Sequence, residues 1–195
     1  MNDDMASTGP DLSDPSPGWD NRLFIVFVLI GAALSLTLGV YGREHTPTGR
    51  AIITFGFPTL LGMKAWLATG AVALGVLQAL TALRMYGRIG RRPTLRAATF
   101  THRVSGVVVV VLPTLPVAFH CLWSLGFGRY STRVLLHSLM GCAFYGVFLT
   151  KMLAVRSRRL LPWALPVLGG VLFTVLVTIW LTSSLWFFTV GTPHS

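Results

Sequence analysis

The sequence predicts an all-α membrane protein, a bundle of five transmembrane helices, and three observations carry that prediction. Of 195 residues, 53% are apolar and only 11% are charged, with a mean hydropathy of +0.67, whereas a soluble domain carries about 25% charged residues. Five apolar runs are long enough to cross roughly 30 Å of hydrocarbon at about 1.5 Å per residue. The six acids are Asp3, Asp4, Asp11, Asp14, Asp20 and Glu44, so no carboxylate side chain occurs from His45 to Ser195. The runs lack the strict two-residue alternation of a barrel strand, and backbone groups in lipid must be satisfied within each segment, which makes them helices.

Residues 1–20 are rich in Asp, Ser, Pro and Gly and read as a disordered tail. They lack the positive start of a signal peptide, and no small-residue cleavage motif closes the first apolar run. The transmembrane domain covers 21–190, with spans expected at 23–40, 65–86, 104–125, 134–155 and 163–188. Between the first two spans, residues 41–63 form an external segment longer than a simple connector. Its apolar stretch 51–61, broken by Gly56 and Pro58, is too short to span; it either lies in the interface or caps the outer end of the bundle. Residues 191–195 form a short tail.

The loop charges orient the bundle. Arg84, Arg88, Arg91, Arg92, Arg96 and Arg103 surround the second connection, and Lys151, Arg156, Arg158 and Arg159 surround the fourth. The opposite side receives Arg43, Arg50, Lys64, Arg129 and Arg133, half as many. By the positive-inside rule the N-terminus is cytoplasmic and the C-terminus external. Arginine outnumbers lysine fourteen to two, as in proteins of GC-rich bacterial genomes, so the expected location is a bacterial plasma membrane.

The net charge of +10 falls in short clusters between apolar runs. That distribution belongs to a polytopic protein facing a lipid bilayer and points away from nucleic acid. Without carboxylates in the body of the chain, paired-carboxylate hydrolysis, carboxylate-ligated metals, an EF-hand and a Ser-His-Asp triad are all excluded there. Cys121 and Cys142 lie inside spans, with no CxxCH for covalent haem and no CxxC pair, and read as inert buried thiols.

Histidine is then the main ligating side chain left in the membrane, where an ionisable group is a functional hypothesis by default. His120 lies five residues before the end of the third span, and His137 three residues after the start of the fourth. The short turn between these spans predicts antiparallel neighbours with both imidazoles at one depth. Two histidines level on facing helices are what axial ligation of a haem iron needs. Arg133 lies one turn before His137 and Gly141 one turn after it, on the same helical face. The glycine leaves room for a flat macrocycle, and Arg133, with Arg129 in the turn, offers charge-assisted bonds to haem propionates. The alternative is that His120 and His137 are polar glue between helices in a non-redox scaffold or small transporter subunit. His102, in the string THRVSG, is eighteen residues from His120, so an ideal helix points both the same way, with Pro113 and Pro116 placed to disturb the phase. By rise the separation is about 27 Å, too far to share an iron. His102, Arg103 and Ser105 are expected to form a polar interfacial site for a quinone head or a lipid phosphate.

The fourth span, LLHSLMGCAFYGVFLTKML, resembles the histidine- and serine-containing haem helix of cytochrome b561-like membrane proteins, and HRVSG at 102–106 is similar to the opening helix of succinate dehydrogenase membrane anchors. The likeness covers about 99–158. It implies non-covalent haem b held by two histidines, here His137 and His120, and quinone-linked electron transfer with an external redox partner or within a redox complex. The second and fifth spans contain no histidine, so one haem is expected, near the external face between the third and fourth helices.

Overall fold

The structure is a computed structural model that describes residues 21–90, 95–127, 131–157 and 161–190. Among the described residues it contains helices and no strands. Five helices are long and apolar enough to cross a membrane: α1 Asn21–Glu44, α2 Leu60–Met85, α3 Arg96–Leu125, α4 Thr132–Arg156 and α5 Ala164–Val190. The chain is therefore built as a multi-pass membrane protein. The 1–20 tail, the 191–195 tail with His194, and Arg91, Arg92 and Arg129 lie outside the described residues.

Two helices begin earlier than hydropathy alone predicts. Thr59, extended at φ −134°, caps α2, its hydroxyl accepting the Gly62 N–H at 3.0 Å; the first turn is thereby satisfied and Lys64 falls inside the helix. At the other end of the bundle α3 starts before His102, because polar and basic side chains near a helix end reach toward the headgroups without breaking it. The connection between α1 and α2 is correspondingly shorter, and its start acts as a cap. Thr48 N–H and Gly49 N–H donate to the Trp123 and Ser124 carbonyls at 3.3 and 3.0 Å, and Ser124 Oγ donates to the Arg50 carbonyl at 2.8 Å. Those two acceptor carbonyls belong to the last turn of α3, which otherwise has no intrahelical donor. Ile52, Ile53 and Phe55 of the same segment are exposed.

α3 runs through its two prolines by widening. Val110–Thr114 and His120–Leu125 are π-turns, with i→i+5 bonding, and Pro113 lies inside the first. A proline removes a donor and crowds the carbonyl four residues back, and the wider turn relieves both. Thr114 Oγ1 donates to the Val109 carbonyl there. Each extra residue rotates the remainder of the helix by about 100°, so the common direction expected for His102 and His120 is lost. α5 has a third π-turn at Leu181–Leu185.

Packing runs α1 on α4, α4 on α5, α5 on α2 and α2 on α3. The tightest crossing is between α1 and α4. A methyl on Gly31 would collide with Thr150 Oγ1 and the Gly146 carbonyl; one on Gly146 would collide with Ser35 Oγ and the Gly31 carbonyl. Ser35 Oγ donates to the Cys142 carbonyl at 3.1 Å, and Thr150 Oγ1 contacts the Phe27 and Gly146 carbonyls at 3.2 and 2.9 Å. Small residues that admit close backbones, tied by hydroxyls, are how helices associate where lipid is as apolar as leucine. The expected α3–α4 neighbour pair is corrected: among the described residues these consecutive helices make no extended contact. Tyr145 Oη, donating to the Thr114 carbonyl at 2.9 Å, reaches across the gap.

Gly146→Ala should destabilise the protein by about 1–3 kcal/mol through overpacking. Gly39→Ala, with no atom within 4 Å of the new methyl, should be neutral or stabilising. Equilibrium unfolding in mixed detergent micelles checks both.

Candidate functional site

The gap between α3 and α4 is a cavity of about 350 Å³, within the size range of small-molecule and cofactor sites. Its walls are mostly apolar, from Ala68 and Ala71 of α2, Val117 and Ala118 of α3, and Leu176 of α5. Into it open Lys64, Cys121, Arg133, His137 and Gly141. Gly141 has nothing within 4 Å of the position a methyl would take, so the backbone of α4 is exposed to the cavity along this face. The expected Arg133–His137–Gly141 face is thus assembled on one wall.

His137 is oriented by the π-turn region of α5. Its Nδ1 is 3.3 Å from the Ile179 carbonyl and 3.3 Å from Thr182 Oγ1. Thr182 Oγ1 itself lies 2.8 Å from the Thr178 carbonyl and 3.0 Å from that of Ile179. A carbonyl only accepts, so in the neutral ring Nδ1 carries the proton and Nε2 keeps its lone pair. His120 has the same arrangement: Nδ1 donates at 2.8 Å to the Pro116 carbonyl, which also accepts the His120 backbone N–H. Its Nε2 is buried and has no partner among the described residues. Ligating histidines hold their other nitrogen in this way, which fixes the tautomer and the ring. His120 is 3% exposed, but it is not among the residues that line the cavity. The structure therefore brings His137, Arg133 and Gly141 together and leaves His120 behind the α3 wall.

Two cations face a cavity without carboxylates. Arg133 donates from Nη1 to the Thr182 carbonyl at 2.5 Å and lies 4.0 Å from the centroid of the Trp186 ring, a cation–π seat that holds it at the outer end. Lys64 enters from α2, and the Cys121 thiol lies beside both Lys64 and His137. Among the described residues Glu44 is the one carboxylate, 3.8 Å from the neighbouring Arg43 and exposed. The site accordingly suits an anionic, largely apolar, flat ligand with an affinity for neutral imidazole. Sequence reasoning missed Lys64 because hydropathy ends the span at residue 65; Thr59 as a cap is the signal that places it inside α2. From sequence Cys121 reads as inert packing, and only its contacts with Lys64 and His137 single it out.

Two of the three residues expected at an interfacial site, His102 and Ser105, have partners on α2. His102 Nδ1 is 2.9 Å from Thr81 Oγ1, and Gln78 Nε2 donates to the His102 carbonyl at 2.5 Å and to Ser105 Oγ at 2.6 Å. His102 and Ser105 thus join α3 to α2, whereas Arg103 is exposed. On a helix already formed at Arg96, residue 103 stands about 100° round from residue 102, so Arg103 lies off the face that His102 turns to α2.

The chain belongs to a family of unknown function (DUF6529), whose model matches residues 24–194. No curated protein and no solved structure matches it.

Tyr145→Phe removes the hydroxyl that reaches from α4 to the Thr114 carbonyl. It should cost about 0.5–1.5 kcal/mol, seen as a lower thermal midpoint in detergent with unchanged helix content by circular dichroism.

Proposed function

We propose that this protein is a membrane b-type cytochrome: one non-covalent haem between α3 and α4 near the external face, carrying electrons between a quinone pool and an external redox partner, or doing so within a redox complex. The reading places it in a bacterial plasma membrane with the N-terminus cytoplasmic and the C-terminus external, and it carries the resemblance to cytochrome b561-like proteins forward. The single observation that carries it is the state of the two imidazoles. His120 and His137 sit on the two helices that flank the cavity, each with Nδ1 turned to a backbone carbonyl, and the Nε2 of His120 is buried with no partner among the described residues.

His137 would hold the iron from the cavity wall; His120, the second ligand in this reading, lies on α3 outside the cavity lining. Arg133 and Lys64 would pair with the propionates, whose negative charge the chain does not otherwise supply in the membrane. Haem b supplies a one-electron iron couple when bound. The protein's part is to keep both rings neutral and fixed, to exclude water with an apolar shell and to admit a flat group at Gly141.

The second reading, a scaffold or small transporter subunit whose histidines only join helices, draws on the same hydrogen bonds, since each of His102, His120 and His137 already has a partner on Nδ1. One measurement divides them. Purified from cells supplied with haem precursor, the protein should show a reduced-minus-oxidised spectrum with b-type Soret and alpha bands; a colourless, folded protein would sink the cytochrome reading. His137→Ala and His120→Ala should each abolish the six-coordinate spectrum, and His102→Ala should leave it intact.

A further inference from the structure

Lys151 is a cation inside a membrane-spanning helix with no counter-ion. It lies five residues before the end of α4 and is half-buried, whereas Arg84, Arg88, Arg96, Arg103 and Arg156 at the same end of the bundle are exposed. Among the described residues its ammonium has no hydrogen-bond partner, and the one carboxylate, Glu44, closes α1 at the opposite end. A lysine near a helix end ordinarily bends along its own helix toward the headgroups. Lys151 reaches sideways instead. Its Nζ lies 3.9 Å from the position a methyl on Gly169 would take, and Gly169 is five residues after the start of α5. The charge therefore stays level with its own backbone, about 7.5 Å inside the helix ends, where an unpaired ammonium is costly.

On α3, His102 is close enough for that charge to act on its imidazole. Thr81 Oγ1, 2.9 Å from His102 Nδ1, directs its own hydrogen to the Leu77 and Gln78 carbonyls at 2.8 and 3.0 Å. The hydroxyl oxygen thus accepts from Nδ1–H, and Nε2 of the neutral ring keeps a lone pair. Nε2 makes no hydrogen bond among the described residues and, unlike that of His120, is not sealed by the protein. Gln78 fixes this stretch of α3 through its bonds to the His102 carbonyl and Ser105 Oγ. A charged donor and a bare acceptor are therefore presented together. Their complement is an anion with a hydroxyl beside it. A soluble phosphate would meet this need from water alone, but Val104 and Val107 of α3 and Met152 and Val155 of α4, close by in sequence, are exposed apolar surface. Acyl chains cover such surface, so the ligand that satisfies both parts is a phospholipid with a polyol head.

We propose that Lys151 and His102 bind a single phospholipid of the leaflet at this end, the phosphodiester anion on the Lys151 ammonium and a head-group hydroxyl donating to His102 Nε2, as phosphatidylglycerol can do. The lipid supplies the counter-ion that the chain lacks here. It also bridges α3 and α4, which make no extended contact of their own among the described residues. The site uses none of the residues assigned to the haem, and the inference stands or falls without it.

The test uses the full chain in lipid nanodiscs and counts, by native mass spectrometry, the lipids that stay bound when the disc is opened. Discs of phosphatidylcholine are doped in turn with phosphatidylglycerol and with phosphatidylmethanol, which has the same charge and no head-group hydroxyl. Phosphatidylglycerol should be retained about tenfold over phosphatidylcholine, with phosphatidylmethanol between the two. Lys151→Met should erase the preference for both anionic lipids, and His102→Leu should make those two equal. Wild-type retention in Lys151→Met overturns the site and leaves Lys151 as a headgroup anchor. Equal retention of phosphatidylglycerol and phosphatidylmethanol by the wild type, a comparison that needs no variant, overturns the role of His102. Inorganic phosphate added to the protein in detergent should leave its thermal midpoint unchanged; a rise equal to that given by short-chain phosphatidylglycerol overturns the lipid as the source of the anion.

Discussion

Hydrocarbon offers neither hydrogen bonds nor counterions, and this constraint acts on every polar atom from α1 to α5. A chain with no carboxylate after Glu44 meets it in an unusual way. Hydroxyls turn back on carbonyls of their own helices, as at Thr69, Thr81, Thr150 and Thr174. Imidazoles do the same with Nδ1, reaching Pro116 in one case and Ile179 of a neighbouring helix in another. What remains among the described residues after these bonds are made is a short set of groups. It includes two cations, Lys64 and Arg133, without a carboxylate beside the cavity they open on, and three buried atoms without a partner, His45 Nε2, His120 Nε2 and Ser184 Oγ. The functional reading grows from this remainder.

The irregularities of α3 and α5 belong to the same account. A regular helix leaves no spare acceptor in mid-membrane, whereas a widened turn displaces carbonyls from their usual donors. Thr182, in the π-turn of α5, gives its carbonyl to Arg133, and His137 is held just before that turn at Ile179. On α3 the His120 ring turns back on the Pro116 carbonyl, which also accepts the His120 backbone N–H, where a π-turn begins. Local departures from helical geometry thus lie beside His120 on α3 and beside the residues that hold His137 and Arg133 on α5.

The five spans were legible because hydropathy over a long window is a sum of many small terms and tolerates local error. Single boundaries were less so. Lys64 sits inside α2 because the Thr59 hydroxyl caps it, a one-residue effect that a window average erases. The Arg133–His137–Gly141 face was readable, since three residues four apart on an uninterrupted helix must align. The position of His120 was not: its direction depends on a widened turn between it and His102, and sequence spacing assumes a uniform helix. Adjacency of α3 and α4 also failed as an inference from a short connection, because a tight turn fixes where two helices meet at one end and says nothing of their separation along their length.

The seam between Gly31 and Gly146 has a consequence for biogenesis. Ser35 and the Cys142 carbonyl it binds are 107 residues apart in sequence. At a synthesis rate of about 5–20 residues per second, the first helix waits in the membrane for roughly 5 to 20 s before its partner emerges. Throughout that interval its notched face has only lipid, or an insertase, to lean on. The first helix thus stays without its main partner while α2 and α3 are made, its glycine notch open to whatever surrounds it.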